Sequence, residues 1–464
     1  MKENDVLVFM KSFSSEELKA LAKYMKKRFQ TDSIPMHLFR FLRKYYPDFE
    51  HRKLSYEYAH ELLFPDTSYN KKMVLNTLSD LRLVIRDFLV NNYLDENPIE
   101  KDIILLRVYS QRQLDAHFEK QYKNIKKELA KKSQHNLWYW LNHVQVEHEK
   151  YFNIGTKRMI ERGSIFQAME SLDQFYAAGK LRYASEIYSG YNLRNEEDPS
   201  VRFLKDIESA GWCDDSTYHA FYKKILPLVR DRKTASYEDL KTYFYKHYQA
   251  LHHRDQCVVI SYLINYIAFE IRRGNDDFHF ELFELMKFGL LHDLFIVDGV
   301  LPPDHYMNIV TVASRIGHFD WALEFINNYA KRLQLMNRVY YKNYCQALIY
   351  FYRKDYKNCV KLLKDIDLKE PQDQYRGRWL KIISDFETKG WSDELSNQSD
   401  AFYQFIRRNK LIPNEKKNAM HVAYKAFKML MSPNTTKAML ENLLEDNPQF
   451  HYKSWIDEKI KLLK

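Results

Sequence analysis

Eleven glycines in 464 residues leave this chain few ways to fold. An average share of about 7 % would have supplied roughly 32. Prolines number only 12. Tight β-hairpins draw on glycine and asparagine for their turns, and doubly wound α/β folds draw on glycine for their phosphate loops. With 45 % hydrophobic and 29 % charged residues, the remaining option is an all-α chain of amphipathic helices joined by polar loops. That apolar share can fill a large core, which argues against collagen-like, disulfide-framework and disordered chains. The length suits about three units of roughly 150 residues.

Residues 1–95 read as an N-terminal helical module. Ser14-Ser15-Glu16-Glu17 has the form of a capping box, followed by Leu18, Leu21, Ala22, Met25 and Phe29 at helical spacing. Pro35 suits a first helical position and Pro47 a stop, and Ser55 is placed to cap a helix ending near Phe64. Val74, Leu78, Leu81, Ile85 and Phe88 then mark a longer helix, and Asn91 to Pro98 reads as a linker. Two short helices and a longer one bearing Lys71, Lys72, Arg82 and Arg86 are compatible with a helix-turn-helix DNA reader. A plain helical cap fits them better, because the turn has no glycine and no clear recognition-helix signature is present. Residues 96–464 continue in helical periodicity, with a subdivision expected near 192–215 and breaks at 369–373, 389–400 and 433–436.

Net charge is +10 and unevenly spread: +6 over residues 1–135, −1 over 136–399 and +5 over 400–464. Basic ends invite nucleic acid, and Lys120, Lys123 and Lys127 lie on one helical face opposite Tyr122, Ile125 and Leu129. Solvated lysine faces give the same arithmetic. Cys213, Cys257, Cys345 and Cys359 have no metal or redox spacing, so reduced thiols are expected. The most apolar stretch, Cys257 to Phe269, is 13 residues long, against about 20 for a membrane span. A soluble, cytoplasmic chain with no membrane partner is the expectation.

A short turn followed by a small residue recurs. Gly317 to Ala322, Lys354 to Cys359 and Gly179 to Ala184 each read as a connection between two helices, with Ala322, Cys359 and Ala184 at the crossing. The unit from Tyr340 to Asp373 resembles a tetratricopeptide (TPR) repeat: Ala347 at the small eighth position, Tyr350 at the eleventh, Cys359 at the twentieth, Leu363 at the twenty-fourth and Pro371 at the thirty-second. The preceding unit has Ala313, Ala322 and Ile326 but Val310 at its eighth position, and the unit around Ala184 has Leu172 there. The chain also resembles a family of helical proteins of unknown activity common in Bacteroidota, through Arg315 to Ala322, Ala347 to Tyr356 and Phe64-Pro65.

The TPR resemblance implies an α-solenoid whose concave face grips a protein or peptide. It places Asp304, Met307, Thr311, Ser314 and Arg315 in that groove, with Tyr341, Tyr344, Leu348, Phe351 and Tyr352 from the next unit. An exposed aromatic row beside an arginine is a reasonable peptide surface. Aromatics also fill cores, and both readings stay open here. A pentatricopeptide-like RNA code would need many regular copies, which this chain lacks.

Catalytic motifs are nearly absent. Gly179-Lys180 lacks the rest of a phosphate loop. His143, Glu147 and His148 do not have zinc-protease spacing, and Glu147, His148 and Glu149 read as a polar helix face. His252-His253-Arg254-Asp255 imitates a kinase loop by three letters without its partners. Asp214-Asp215-Ser216 and Asp276-Asp277 sit where helix starts are expected. No enzyme activity, cofactor or metal is expected. A non-catalytic protein-binding scaffold leads, with nucleic-acid binding as the alternative.

Overall fold

In the computed structural model the first helices begin at the caps their sequence supplies. Ser14 Oγ accepts the Glu17 amide at 3.1 Å, and the Glu17 carboxylate accepts the Ser14 amide at 2.7 Å. Ser55 caps in the same way through the Tyr58 amide. The structure describes residues 1, 4–153, 162–194, 216–297, 299–333, 338–364, 371–432, 434–446 and 452–462. Among these are twenty-two α-helices, two short 3-10 turns and no strand, only an isolated bridge between Val297 and Val300. The all-α expectation holds. None of the described helices is long and apolar enough to cross a membrane.

The described chain divides into two compact units: residues 1–133 with 138–175, and residues 134–137 with 176–464. In the first lie α1 (Asp5–Ser12), α2 (Ser15–Arg28), α3 (Ile34–Arg43), α4 (Tyr56–Leu63), α5 (Lys71–Glu96), α6 (Pro98–Gln111), α7 (Asp115–Ala130) and most of α8 (Leu137–Phe152). The division falls within α9 (Arg162–Arg194). Helix α5 is the post of the N-terminal bundle, with α1 to α4 packed on it. Its Val74, Leu78, Leu81, Ile85 and Phe88, spaced as the sequence predicts, are buried. Each large apolar side chain so buried contributes about 1.5–3 kcal/mol.

Two expectations need correction. The stretch Asn91 to Pro98 is no linker: α5 runs to Glu96, Asn97 closes it through its amide on the Tyr93 carbonyl, and Pro98 opens α6. Nor does Gly179 to Ala184 form a turn. It lies inside α9, where Gly179 is buried and a Cβ there would lie 3.6 Å from Leu137 Cδ1, an ordinary contact. The subdivision expected near 192–215 lies outside the described residues beyond the end of α9, as do Cys213 and residues 369–370 of the expected break, after which Pro371 opens a helix.

The second unit continues with α10 (Thr217–Asp231), α11 (Thr234–His247), α12 (His253–Arg272), α13 (Phe278–Leu291), α14 (Pro303–Arg315), α15 (Phe319–Tyr329), α16 (Arg338–Tyr352), α17 (Tyr356–Lys364), α18 (Pro371–Lys389), α19 (Asp393–Arg408), α20 (Asn414–Leu430), α21 (Lys437–Asp446) and α22 (Lys453–Leu462). From α10 to α22, consecutive helices pack on one another; α10 also meets α12, α14 meets α16, and α16 meets α18. Ala322, Ala347 and Cys359 are fully buried. Cys345 is also a buried free thiol, and Cys257 is half-buried and free.

One turn recurs. Gln113, Gly274, Asp293, Gly317 and Lys354 all take positive φ, at 57°, 95°, 55°, 82° and 61°. After each, the next amide reaches back into the helix just ended: Leu114 to the Tyr109 carbonyl, Asn275 to Glu270, Leu294 to Gly289, His318 to Ala313 and Asp355 to Tyr350. This left-handed cap satisfies carbonyls that the helix end leaves orphaned. Where the residue is not glycine it costs about 1–2 kcal/mol, which the bonds made must offset.

Candidate functional site

Helices α13 and α15 enclose a cleft of ≈ 550 Å³ in the second unit, with Tyr245 of α11 at one end. Its α15 wall comes from residues four apart on one helical face. Trp321 stacks on Phe325 (centroids 5.6 Å apart, planes 10°), and Phe325 on Tyr329 (4.9 Å, 22°). Phe283 of α13 meets Trp321 edge-on at 4.8 Å and anchors the ladder to the opposite helix. The facing wall is Phe288, Leu290 and Leu291, with Tyr245 set edge-on to Phe288 at 4.9 Å. Leu291, 77 % exposed, forms a rim.

A glycine makes the α13 wall possible. A Cβ on Gly289 would lie 2.4 Å from the Phe295 ring and 2.9 Å from Ile260 Cδ1. Glycine lets Phe295 lie on the helix backbone, and the turn at Asp293 carries the chain around to it.

Few polar groups line the cleft: Glu284, Lys287, Glu324 and Asn328. Glu284 and Lys287 pair with each other at 3.0 Å. Glu324 is exposed and makes no ion pair among the described residues. Burial pushes the Tyr245 hydroxyl above its ordinary value, so it stays neutral. No nucleophile is set beside a base here. The arrangement offers apolar contact beside a carboxylate that makes no ion pair among the described residues.

The residues placed in a groove by the TPR resemblance lie elsewhere and are mostly interior. Met307, Ser314, Tyr341, Tyr344, Leu348 and Phe351 are buried, for α14 and α16 pack directly on each other. Tyr344 Oη lies 3.4 Å from Tyr452 Oη, and Phe351 meets the Tyr452 ring edge-on at 5.5 Å, so the segment entering α22 covers this face of α16. For these positions the exposed-row reading is corrected to packing. Thr311 and Tyr352 are half-buried, and Thr311 bonds back to the Met307 carbonyl. Asp304 and Arg315 are exposed, Asp304 paired with Arg376 at 3.3 Å.

Of the basic candidates, Lys71 and Lys72 are exposed in the first turn of α5, Lys71 over the Tyr56 ring at 4.7 Å. Arg82 is half-buried and bonded to Asp5 at 3.1 Å, while Arg86 is exposed. Lys120, Lys123 and Lys127 share one exposed face of α7 and form no ion pair among the described residues.

The polar helix face expected at Glu147, His148 and Glu149 is also corrected. Glu147 is fully buried and takes hydrogen bonds from Lys126 and Tyr122 of α7. Glu149 binds Arg107 at 2.7 Å, and only His148 faces solvent. Among the described residues no cluster of His, Cys, Asp and Glu is arranged to hold a metal. His252 and Ser216 cap helices, as expected of residues at helix starts. Asp255, from the kinase-like tetrad, is buried 3.5 Å from Arg182, which also lies 3.5 Å from Tyr218 Oη. Burial raises Asp255 and pushes Tyr218 up to about 12, which makes that phenol a donor at neutral pH and no base.

The sequence reading missed the cleft. The signal was present in the four-residue spacing of Trp321, Phe325 and Tyr329, but only the fold brings Phe288 and Leu291 opposite them. Compared with known proteins, the chain matches no family model, no curated protein and no solved structure.

Proposed function

We propose that this protein is a non-catalytic binding protein that captures a peptide segment in the cleft between α13 and α15. The observation that carries this reading is the stacked row of Trp321, Phe325 and Tyr329, its end rings half-exposed and Phe325 buried between them, lining an open cleft together with the exposed Leu291. Aromatic side chains held rigid before binding give large contact area at small entropic cost, and they dominate peptide and protein interfaces. The solenoid reading moves with it. The pairwise sequence of helices and the shared left-handed turns support a repeat of helical hairpins, with the recognition surface on α13 and α15 in place of the α14–α16 face.

The test is selection from a displayed library of random 15-residue peptides on the full chain. Peptides retained by wild type are expected to be lost on Trp321→Ala and on Leu291→Glu, with thermal melting of the Leu291 variant unchanged because that side chain is exposed. Selected peptides that bind both variants as well as wild type would refute the cleft.

The free lysine face of α7 favours a second reading, contact with nucleic-acid phosphates. Lys120, Lys123 and Lys127 are spaced about 4.5 and 6 Å along the helix axis. On this reading, affinity for a fluorescent single-stranded RNA falls steeply with salt, and replacing all three lysines by alanine flattens that slope by about 2 in log–log units. An unchanged slope removes it.

A further inference from the structure

The geometry points to a particular occupant for the cleft: a cationic amphipathic helix, with apolar anchors on the aromatic ladder and a lysine or arginine on Glu324. This inference rests on the peptide-capture reading above and adds the chemistry of the partner.

Charge is the first argument. The chain carries +10 overall, yet α13 and α15 together hold four carboxylates, Glu281, Glu284, Asp320 and Glu324, against one lysine. Three of the four are already engaged. Glu281 accepts from Lys241 at 2.8 Å and from Tyr237 at 2.7 Å, Glu284 pairs with Lys287, and Asp320 pairs with Arg353 at 2.8 Å. Glu324 is left over, exposed on the cleft wall between Trp321 and Asn328, with no cation beside it among the described residues. A carboxylate next to the edge of an aromatic ladder suits a guanidinium or ammonium group, which gains both the ion pair and the ring face. A phosphate or an acidic segment would meet repulsion there instead.

Length is the second argument. Lining residues run from Glu284 to Leu291 on α13 and from Trp321 to Tyr329 on α15, about two helical turns each, or roughly 10–12 Å. Helix-in-groove recognition uses anchors at i, i+4 and i+7 over that same distance. The cleft is open to solvent, which leaves room for a helix to lie on it.

The experiment uses the same displayed library, selected in parallel on wild type and on Glu324→Lys. Wild-type selections are expected to be enriched in peptides with apolar residues at helical spacing and a lysine or arginine three or four positions away. On Glu324→Lys the apolar pattern persists and the charge preference inverts. A synthetic peptide of the wild-type consensus should bind Glu324→Gln two- to fivefold more weakly, the size expected of one exposed ion pair, and should lose that difference in high salt. Peptides that depend on Trp321 yet show no cationic bias would overturn this inference and leave the cleft standing. The absence of any Trp321-dependent peptide would overturn both.

Discussion

Replacing Tyr344 by alanine is expected to cost the second unit about 3–5 kcal/mol, the range for deleting a large aromatic from a packed interior. Tyr344 is 4 % exposed, stacks on Tyr340 with centroids 6.1 Å apart, and meets Tyr452 at its hydroxyl. Burial raises its hydroxyl above the ordinary tyrosine value, as expected of a phenol removed from water. Two companions separate ring from hydroxyl and core from surface. Tyr344→Phe removes only a long 3.4 Å contact and should cost less than about 1 kcal/mol. Arg315→Ala, at an exposed position, should stay within about 0.5 kcal/mol of wild type. Denaturant unfolding followed by tryptophan fluorescence reads all three. A Tyr344→Ala protein as stable as wild type would return that side chain to a solvent-facing groove.

The second large effect belongs to the first unit. Lys126→Ala strands the Glu147 carboxylate, whose side chain has no exposed surface and whose other described donor is the Tyr122 hydroxyl. A buried charge stripped of its partner costs about 3–5 kcal/mol; because the Lys126 side chain is itself 32 % exposed and water can follow it in, about 3 kcal/mol is expected. The remedy is diagnostic. Adding Glu147→Leu to Lys126→Ala removes the stranded charge and should recover most of the loss, whereas two independent losses would add. Additive costs in denaturant unfolding would show that no coupled pair exists.

What could be read in advance followed physical scale. Helix starts at Ser14 and Ser55 and the buried stripe of α5 depend on neighbours within a few residues, and they were legible. The turns at Gly317 and Lys354 were legible from the small residue that follows each, whereas those at Gln113, Gly274 and Asp293, with the same left-handed conformation, carry no such signal. At Gly179 the rule failed in the other direction, since the glycine sits buried inside α9 and leaves the helix unbroken. The partner-facing set misplaced Tyr341, Tyr344 and Phe351 because helical spacing identifies a face without saying what lies on it. Only the fold shows that α14 and the Tyr452 segment cover that face. Glu147 was misread for the same reason: its cation lies on a different helix, 21 residues earlier.

The contact between Gly289 and Phe295 has a mechanical consequence for the cleft. With Phe295 and Ile260 both packed close against its backbone at Gly289, α13 has little room to shift toward either, so the place of this cleft wall is set during folding. On the proposed reading, an incoming helix would find that wall already in place. Freedom that other surfaces surrender at the moment of capture would then have been given up during folding, leaving more of the contact energy to appear as affinity.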